Sequence, residues 1–480
     1  MATENTPNKK RQVFDIHDQS YELIEPIGKG GQGVVWTTNF PNVLVKIINK
    51  EVAEEKRNRW WRQIQHLMRQ PLEGLDIAHP LTLITKPRAG YVMELMDGLE
   101  PLSNIMQKSN DERVDGYLTT GGLQRRLKVL AKLARTLSEL HGRGLAYGDI
   151  SPANIFISQS VEHSEVWLID ADNIDSLSRD VFYSVAGDKP EHKNQVTYTP
   201  DYGAPEILRG ESGINTLTDS WSFAVLAFSL LTLAHPLKGD LVLNGEPEIE
   251  EAAMRGEFPW VDHPVDSSNM RSVGLPSMVL GKSLPGLFER CFNAGMSDAG
   301  ARPSLNEWAE AFEMATKHCV CCQFCESSFI YSSKHVCPFC DQIQDRQQTL
   351  LLHEHYYIPP YLLQQALGET IPESLIQQEC WSKTGKAVVL NNEPIELKKI
   401  SLDASLYENA ALLCTLKLGA DGLWIEPSNR SPVSLQRNTD NKNIPVTKKQ
   451  KLKSESRSNT FFWLHLGSIE SEHFVWKFTW

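Results

Sequence analysis

IGKGGQGVVW, residues Ile27 to Trp36, sets Gly28, Gly30 and Gly33 in a G-x-G-x-x-G-x-V pattern that ends on Val35. Glycines at these places let backbone N–H groups approach phosphate oxygens with no Cβ in the way. The same letters open dinucleotide-binding folds, where a helix should follow. Here the flanking residues read as two short strands, and the chain runs on as strand. At VLVKI it presents Lys46 between Val43, Val45 and Ile47. A lysine pinned in a strand shortly after a glycine turn suits the α/β-phosphates of a nucleotide. Taken alone, the glycines read equally well as a plain turn.

Outward from this stretch, the 480 residues allow two or more domains. Hydrophobic content of 41% permits a full core. The net charge of −12 argues against a general nucleic-acid binder, which would show a basic face. The N-terminus is polar and lacks the apolar core of a signal peptide. The longest apolar stretch, Phe223 to Ala234, is too short to span a bilayer and suits a buried helix. Six of the nine cysteines lie between Cys319 and Cys340, which reads as a metal site in a reducing compartment. A cytoplasmic protein is expected.

Residues 1–12 read as a flexible tail, and Gln12 to about Gly98 as strand-rich with one charged helix, Glu51 to Arg69. Leu123, Leu127, Leu130, Leu133, Leu137 and Leu140 recur at spacings of three and four and predict a helix to His141. Asp219 to Ala234 predicts a deeply buried helix, and Ser304 to Lys317 a last one. A mostly β part followed by a mostly α part is an α+β arrangement. Beyond the cysteines, Lys386–Leu390, Ala411–Leu418 and Phe461–Leu466 alternate like short antiparallel strands, and Phe474 to Trp480 reads as a core strand. Between them, 436–460 is polar, with Lys448, Lys449, Lys451 and Lys453 close together, and reads as a disordered loop.

GLAYGDISPANIFIS, Gly144 to Ser158, follows the leucine-striped helix and carries Asp149 and Asn154; further on, VWLIDAD carries Asp170. Phosphoryl transfer needs a carboxylate facing the acceptor hydroxyl, oxygen ligands for magnesium and a cation on the nucleotide. Asp149, Asn154, Asp170 and Lys46 are the right types in the right order. In isolation, Asp149 and Asn154 are also good turn and cap residues.

On these motifs, residues 13–317 resemble a eukaryotic-type Ser/Thr protein kinase domain. The resemblance implies a bilobal fold with a β-rich N-lobe and an α-rich C-lobe. It makes Lys46 the strand lysine, Met93 the gatekeeper, and Met93, Glu94 and Leu95 the hinge that holds adenine. It assigns Asp149 to the catalytic loop, and Asn154 and Asp170 to magnesium. TPDYGAPE, Thr199 to Glu206, resembles the end of an activation segment, with Thr199 supporting Asp149. Asp219 matches the buried anchor of the catalytic loop, and Arg302 the partner of Glu206. Three departures stand out. Gly148 sits where an arginine precedes the aspartate, so control by loop phosphorylation is less expected. Ser151 replaces the lysine that contacts the γ-phosphate. Asp170-Ala171-Asp172 replaces DFG, and Asp172 is weighed between metal contact and a solvated role. The helix glutamate expected to pair with Lys46 is taken as Glu55, with Glu54 as a near rival. The GDISPAN wording is similar to a bacterial subgroup with a C-terminal zinc ribbon. Such kinases are often found beside a metal-dependent phosphatase and a von Willebrand type A protein, which the resemblance implies as partners.

Cys322-x-x-Cys325, eleven residues, then Cys337-x-x-Cys340 favour one closed tetrahedral zinc. Cys319-x-x-Cys322 is the competing register, and His318 or His335 a competing ligand. Cys291, Cys380 and Cys414 read as small core residues. The expected domains are a kinase domain at 13–317, a zinc ribbon at 318–346 and a β-rich domain at 347–480. The expected function is ATP- and Mg-dependent phosphorylation of protein serine or threonine, with neither nucleic acid nor membrane as partner. A pseudokinase scaffold acting through the ribbon and β-rich domain is the alternative, and a small-molecule kinase of aminoglycoside type a third reading.

Overall fold

The computed structural model describes residues 11–29, 33–50, 52–94, 96–176, 198–275, 277–331, 336–345, 348–367, 372, 375–376, 379–391, 393–400, 410–428, 431–438, 442–458 and 460–480. Gly30, Leu95, His335 and residues 1–10 of the expected tail lie outside this set. Arg11 and Gln12, also assigned to that tail, already belong to a strand. The chain divides into two compact units, Met1–Ser277 with Leu284–Ala309, and Met278–Ser283 with Glu310–Trp480.

The first unit opens with β1 (Arg11–Asp15), β2 (Ser20–Lys29), β3 (Gly33–Thr38), β4 (Val43–Ile48), β5 (Thr82–Lys86) and β6 (Gly90–Glu94), which close in the order β1-β2-β3-β4-β6-β5. Closure removes the exposed strand edges. β4 is buried along nearly its whole length, because apolar clusters cover it from both sides. One of these clusters contains the inner face of α1 (Glu54–Leu67). That helix begins with Glu54 and Glu55 at its positive end and buries Trp60, Ile64 and Leu67, spaced to share one face.

β7 (Leu99–Pro101) leads into the helical part, with α2 (Leu102–Thr119), α3 (Gly122–Gly142) and α4 (Thr216–Thr232). The leucine stripe of α3 is fully buried, as its spacing predicts. α4 starts three residues before the predicted Asp219. Asn215 accepts from the N–H groups of Leu217 and Thr218, and Thr218 returns a bond, forming a capping box. Between α3 and α4 run β8 (Leu145–Ala146), β9 (Ile155–Ser158), β10 (Val166–Leu168) and β11 (Asp175–Ser176); β9 pairs with β10 and β7, and β8 with β11. These short pairs fix the loops that carry the candidate chemistry. α5 (Leu305–Lys317) crosses the division between the two units.

In the second unit, β12 (Cys319–Cys321) and β13 (Ser328–Ile330) form a small hairpin beside the cysteine knuckles. Val320 and Phe329 pack with Val389, so the expected ribbon and β-rich domain share one compact unit. A six-stranded sheet has the order β15-β14-β23-β22-β19-β20. Its strands are β14 (Leu350–Tyr357), β15 (Trp381–Leu390), β19 (Ser434–Arg437), β20 (Asn443–Pro445), β22 (Phe461–His465) and β23 (His473–Thr479). A four-stranded sheet, β16-β17-β18-β21, is built from β16 (Ile395–Lys398), β17 (Leu412–Gly419), β18 (Gly422–Pro427) and β21 (Gln450–Lys453). One apolar cluster, with Leu352, Leu416, Leu423 and Trp476, spans both sheets. The predicted strands in this region are present. The disordered loop expected at 436–460 is corrected: β20, β21 and the end of β19 fall inside it. β20 and β21 are edge strands, and Lys451 pairs with Asp421 at 2.7 Å and lies over the Trp424 ring. Charged edge strands resist further pairing, and their composition resembles disorder for that reason.

Candidate active site

The glycine turn is carried by β2 and β3, where Gly28 pairs with Val35. A Cβ on Gly33 would stand 2.6 Å from the Ile47 carbonyl oxygen, so glycine is what lets β3 lie close on β4. Val35 stands opposite Lys46 on β4, and Tyr91 of β6 stands opposite it on the other side. Met93 is buried opposite Leu44, while Glu94, opposite Val43, is exposed.

The loop after α3 is held from below by Asp219. Its carboxylate accepts from the N–H of Tyr147 at 2.6 Å and of Gly148 at 2.9 Å, and lies 3.0 Å from His141 Nε2. The buried Tyr147 hydroxyl donates to the Ile169 carbonyl, which ties this loop to the end of β10. Asp149 then meets three groups. Thr199 donates through its hydroxyl at 2.7 Å and its N–H at 3.1 Å, and Asn154 Nδ2 donates at 2.9 Å. The Ile169 N–H donates to the Asn154 carbonyl at 2.9 Å, bringing the next residue, Asp170, beside this group. Asp170 takes a left-handed backbone, φ 61° and ψ 52°, at the end of the strand. Lys46 Nζ donates to Asp170 at 2.5 Å. Lys46 thus contacts Asp170, while Asn154 and Thr199 contact Asp149, and the backbone bond of Ile169 to Asn154 links the two groups.

Lys46 also donates to Asp172 at 2.6 Å. This corrects the expected pairing with Glu55, which is exposed on the first turn of α1, as is Glu54. Asp172 is buried and accepts from Trp60 Nε1 and the Tyr91 hydroxyl, each at 2.7 Å. Three donors on one carboxylate satisfy it where it stands, so metal contact by Asp172 is set aside. Asp170 keeps 37% of its side chain exposed. Burial pulls the Lys46 pKa down, but Asp172 and Asp170 outweigh it and the net shift is upward. The Asp170 carboxyl is pushed up by burial and by Asp172, against the pull of Lys46. Two carboxylates around one ammonium leave a negative excess that would suit a divalent cation, and Asp170 is the more exposed of the two.

Arg302 and Glu206 pair as expected. Arg302 donates to both oxygens of Glu206, at 2.7 and 2.8 Å, with the guanidinium almost fully buried. Ser151 is buried and its Oγ has no hydrogen-bond partner among the described residues.

Cys322, Cys325, Cys337 and Cys340 bring four sulfur atoms within 4.8 Å of one another. Backbone N–H groups of Phe324 and Phe339 donate to the sulfurs of Cys322 and Cys337, each at 3.4 Å, and Gln344 donates to Cys322 at 3.2 Å. Donors aimed at sulfur suit thiolates held around a cation, so the residues fit zinc. Cys319 lies instead on β12 opposite Ile330, and His318 is outside the quartet, which decides the register. Cys291, Cys380 and Cys414 are buried, as expected.

Sequence reasoning missed Trp60, Tyr91 and His141. Trp60 left one signal, an aromatic set in an otherwise charged helix; the other two became visible only through their partners.

Comparison with known proteins follows the same outline. Residues 21–298 match the protein kinase domain model. The chain is 26% identical over 264 residues to the serine/threonine-protein kinase PknD of Chlamydia pneumoniae, covering 50% of this chain and 28% of that protein. It is 25% identical over 309 residues to the serine/threonine-protein kinase pkn2 of Myxococcus xanthus, covering 62% of this chain and 33% of that one. Myosin light chain kinase A of Dictyostelium discoideum is 25% identical over 248 residues, with 50% of this chain and 76% of that protein covered. The matched stretch thus spans about a third of the length of the first two relatives.

Proposed function

Because this chain belongs to the protein kinase family, we propose that it is an ATP- and magnesium-dependent serine/threonine protein kinase with the bilobal fold of that family. The observation that carries the proposal is that Lys46 meets Asp170 while Asn154 and Thr199 meet Asp149, the two groups being tied by the backbone bond of Ile169 to Asn154. The turn at Gly28, Gly30 and Gly33, with Val35, covers the triphosphate, and Met93, Glu94 and Leu95 line the adenine site. Lys46 orients the phosphates. Asp149 accepts the proton of the attacking hydroxyl, held in aim by Thr199 and Asn154. Asp170 and Asn154 would hold magnesium, whose positive charge would offset the charge on the transferred phosphoryl group. Protein substrates are favoured over small molecules because Glu206 and Arg302 fasten the segment that a peptide would lie against.

Zinc on Cys322, Cys325, Cys337 and Cys340 would close the ribbon, and the β-rich part would recruit substrate or regulator. All nine cysteines are free, which supports a reducing, cytoplasmic setting. Among the described residues no helix is long and apolar enough to cross a membrane. A phosphatase and a von Willebrand type A protein as partners rest on the GDISPAN resemblance alone. One observation favours the scaffold reading: the buried, unpartnered Ser151 stands where a lysine is expected.

Incubation of the purified chain with labelled ATP and magnesium separates the two. Label transfer to itself or to a generic protein substrate is expected, falling at least about 1,000-fold in Asp149→Ala and Asp170→Ala. No transfer by the unaltered chain, together with no thermal shift on adding ATP and magnesium, would leave the scaffold.

A further inference from the structure

Lys46 faces two carboxylates with different surroundings. Asp170 is partly open to solvent, at 37%, while the side chain of Asp172 is 2% exposed. Asp170 would be engaged by a cation on the triphosphate, and Lys46 would then need a partner that stays. Asp172 is that group. Its Oδ2 accepts from Lys46 and from Trp60 Nε1, and its Oδ1 from the Tyr91 hydroxyl. Tyr91 pairs with Lys46 across β4 and β6, so donors from three elements converge on one acceptor. Trp60 lies on α1, and Gln63, one turn along the same helix, donates to the Ile174 carbonyl at 3.0 Å. Two side chains of α1 thus grip the short segment that follows Asp170.

Resting on the kinase reading above, we propose that Asp172 is the positioning residue for Lys46, and that Trp60 makes this positioning depend on the seating of α1. The lysine's anchor has moved off the helix and onto the segment after the metal ligand. The helix still governs it, through an indole N–H instead of a carboxylate. Displacement of α1 removes the Trp60 and Gln63 bonds together, frees Asp172 to shift, and loosens Lys46.

Two measurements on the full chain test this. The first is steady-state kinetics of Asp172→Asn, Trp60→Phe and the double variant Glu54→Gln/Glu55→Gln. Asp172→Asn should lose about 100-fold in kcat with a smaller change in KM for ATP, and Trp60→Phe about 10-fold. The double variant should stay within about twofold, since Lys46 does not use those carboxylates. The second measurement is the rate at which an amine-acylating reagent labels Lys46, read by mass spectrometry, which needs no turnover. Labelling should rise several-fold in Asp172→Asn and Trp60→Phe and stay level in the double variant. The proposal falls if the double variant carries the loss, or if Asp172→Asn keeps both wild-type turnover and wild-type labelling. An unaltered chain that never transfers phosphate defeats the kinase reading alone, because the labelling still identifies the partner of Lys46. Trp60→Phe, which keeps an aromatic ring, decides the case if Asp172→Asn does not fold.

Discussion

Gly148 shows how one residue carries the loop. Its φ is +86°, and a Cβ there would meet Ile214 Cδ1 at 2.8 Å and the Asn173 carbonyl oxygen at 3.0 Å. Its N–H is also one of two that grip Asp219, so the backbone has little room to relax. A left-handed L-residue costs roughly 1–2 kcal/mol before any clash is counted. Gly148→Ala is therefore expected to lower the unfolding free energy of the first unit by about 2 kcal/mol and to reduce turnover by displacing Asp149. Urea unfolding followed beside phosphate transfer checks this, and an unmoved midpoint would show that the loop accommodates the methyl group. An arginine before Asp149 would have to take the same left-handed backbone at the same cost. The sequence displayed the substitution, but its conformational reason lies in the fold.

Among the elements, the β22–β23 hairpin sets a buried histidine against a half-buried one. His465 has no exposed surface, and its ring nitrogens stand 2.9 Å from His473 Nε2 and 2.9 Å from Gln436 Oε1. Burial, reinforced by His473, pushes its pKa down to about 3, and burial lowers that of His473 as well. The folded-state values are depressed below the ordinary value of about 6.5. The neutral rings therefore contribute fully above pH ~6.5, and that contribution is lost as pH falls from there toward 3. At pH 5 the loss from His465 alone is roughly 2 kcal/mol. Urea midpoints of the second unit should fall between pH 7 and pH 5, and His465→Gln should flatten the slope. Equal slopes in both chains would mean that His465 does not titrate as its burial requires. Elements with strong apolar periodicity, such as α3 and β23, were legible in the sequence because their pattern is local. β20 and β21 were not, because an edge strand owes its order to one neighbour and its polar composition to solvent.

For the molecule as a whole, Lys46, Asp149 and Asp170 belong to one compact unit and the cysteine quartet to the other. Metal analysis should find one zinc per chain, and Cys337→Ser/Cys340→Ser should lose it. Because Val320, Phe329 and Val389 pack around Cys322 and Cys337, that loss should lower the melting of the second unit by roughly 10 °C or more and spare the transition of the first. Retained zinc would point to a different ligand set. The sequence by itself determined the order of the chemistry: a glycine turn, Lys46, Asp149, Asn154, Asp170 and two C-x-x-C knuckles. Residue type, spacing and periodicity are properties of short stretches and need no knowledge of the rest. Only the tertiary structure decided that Lys46 rests on Asp172, 126 residues away, and not on Glu55. It also decided which C-x-x-C pair joins the quartet, and that the lysine-rich stretch is sheet edge. Each of these is a choice among chemically equivalent candidates, settled by which of them the packing brings out of water and within hydrogen-bond reach.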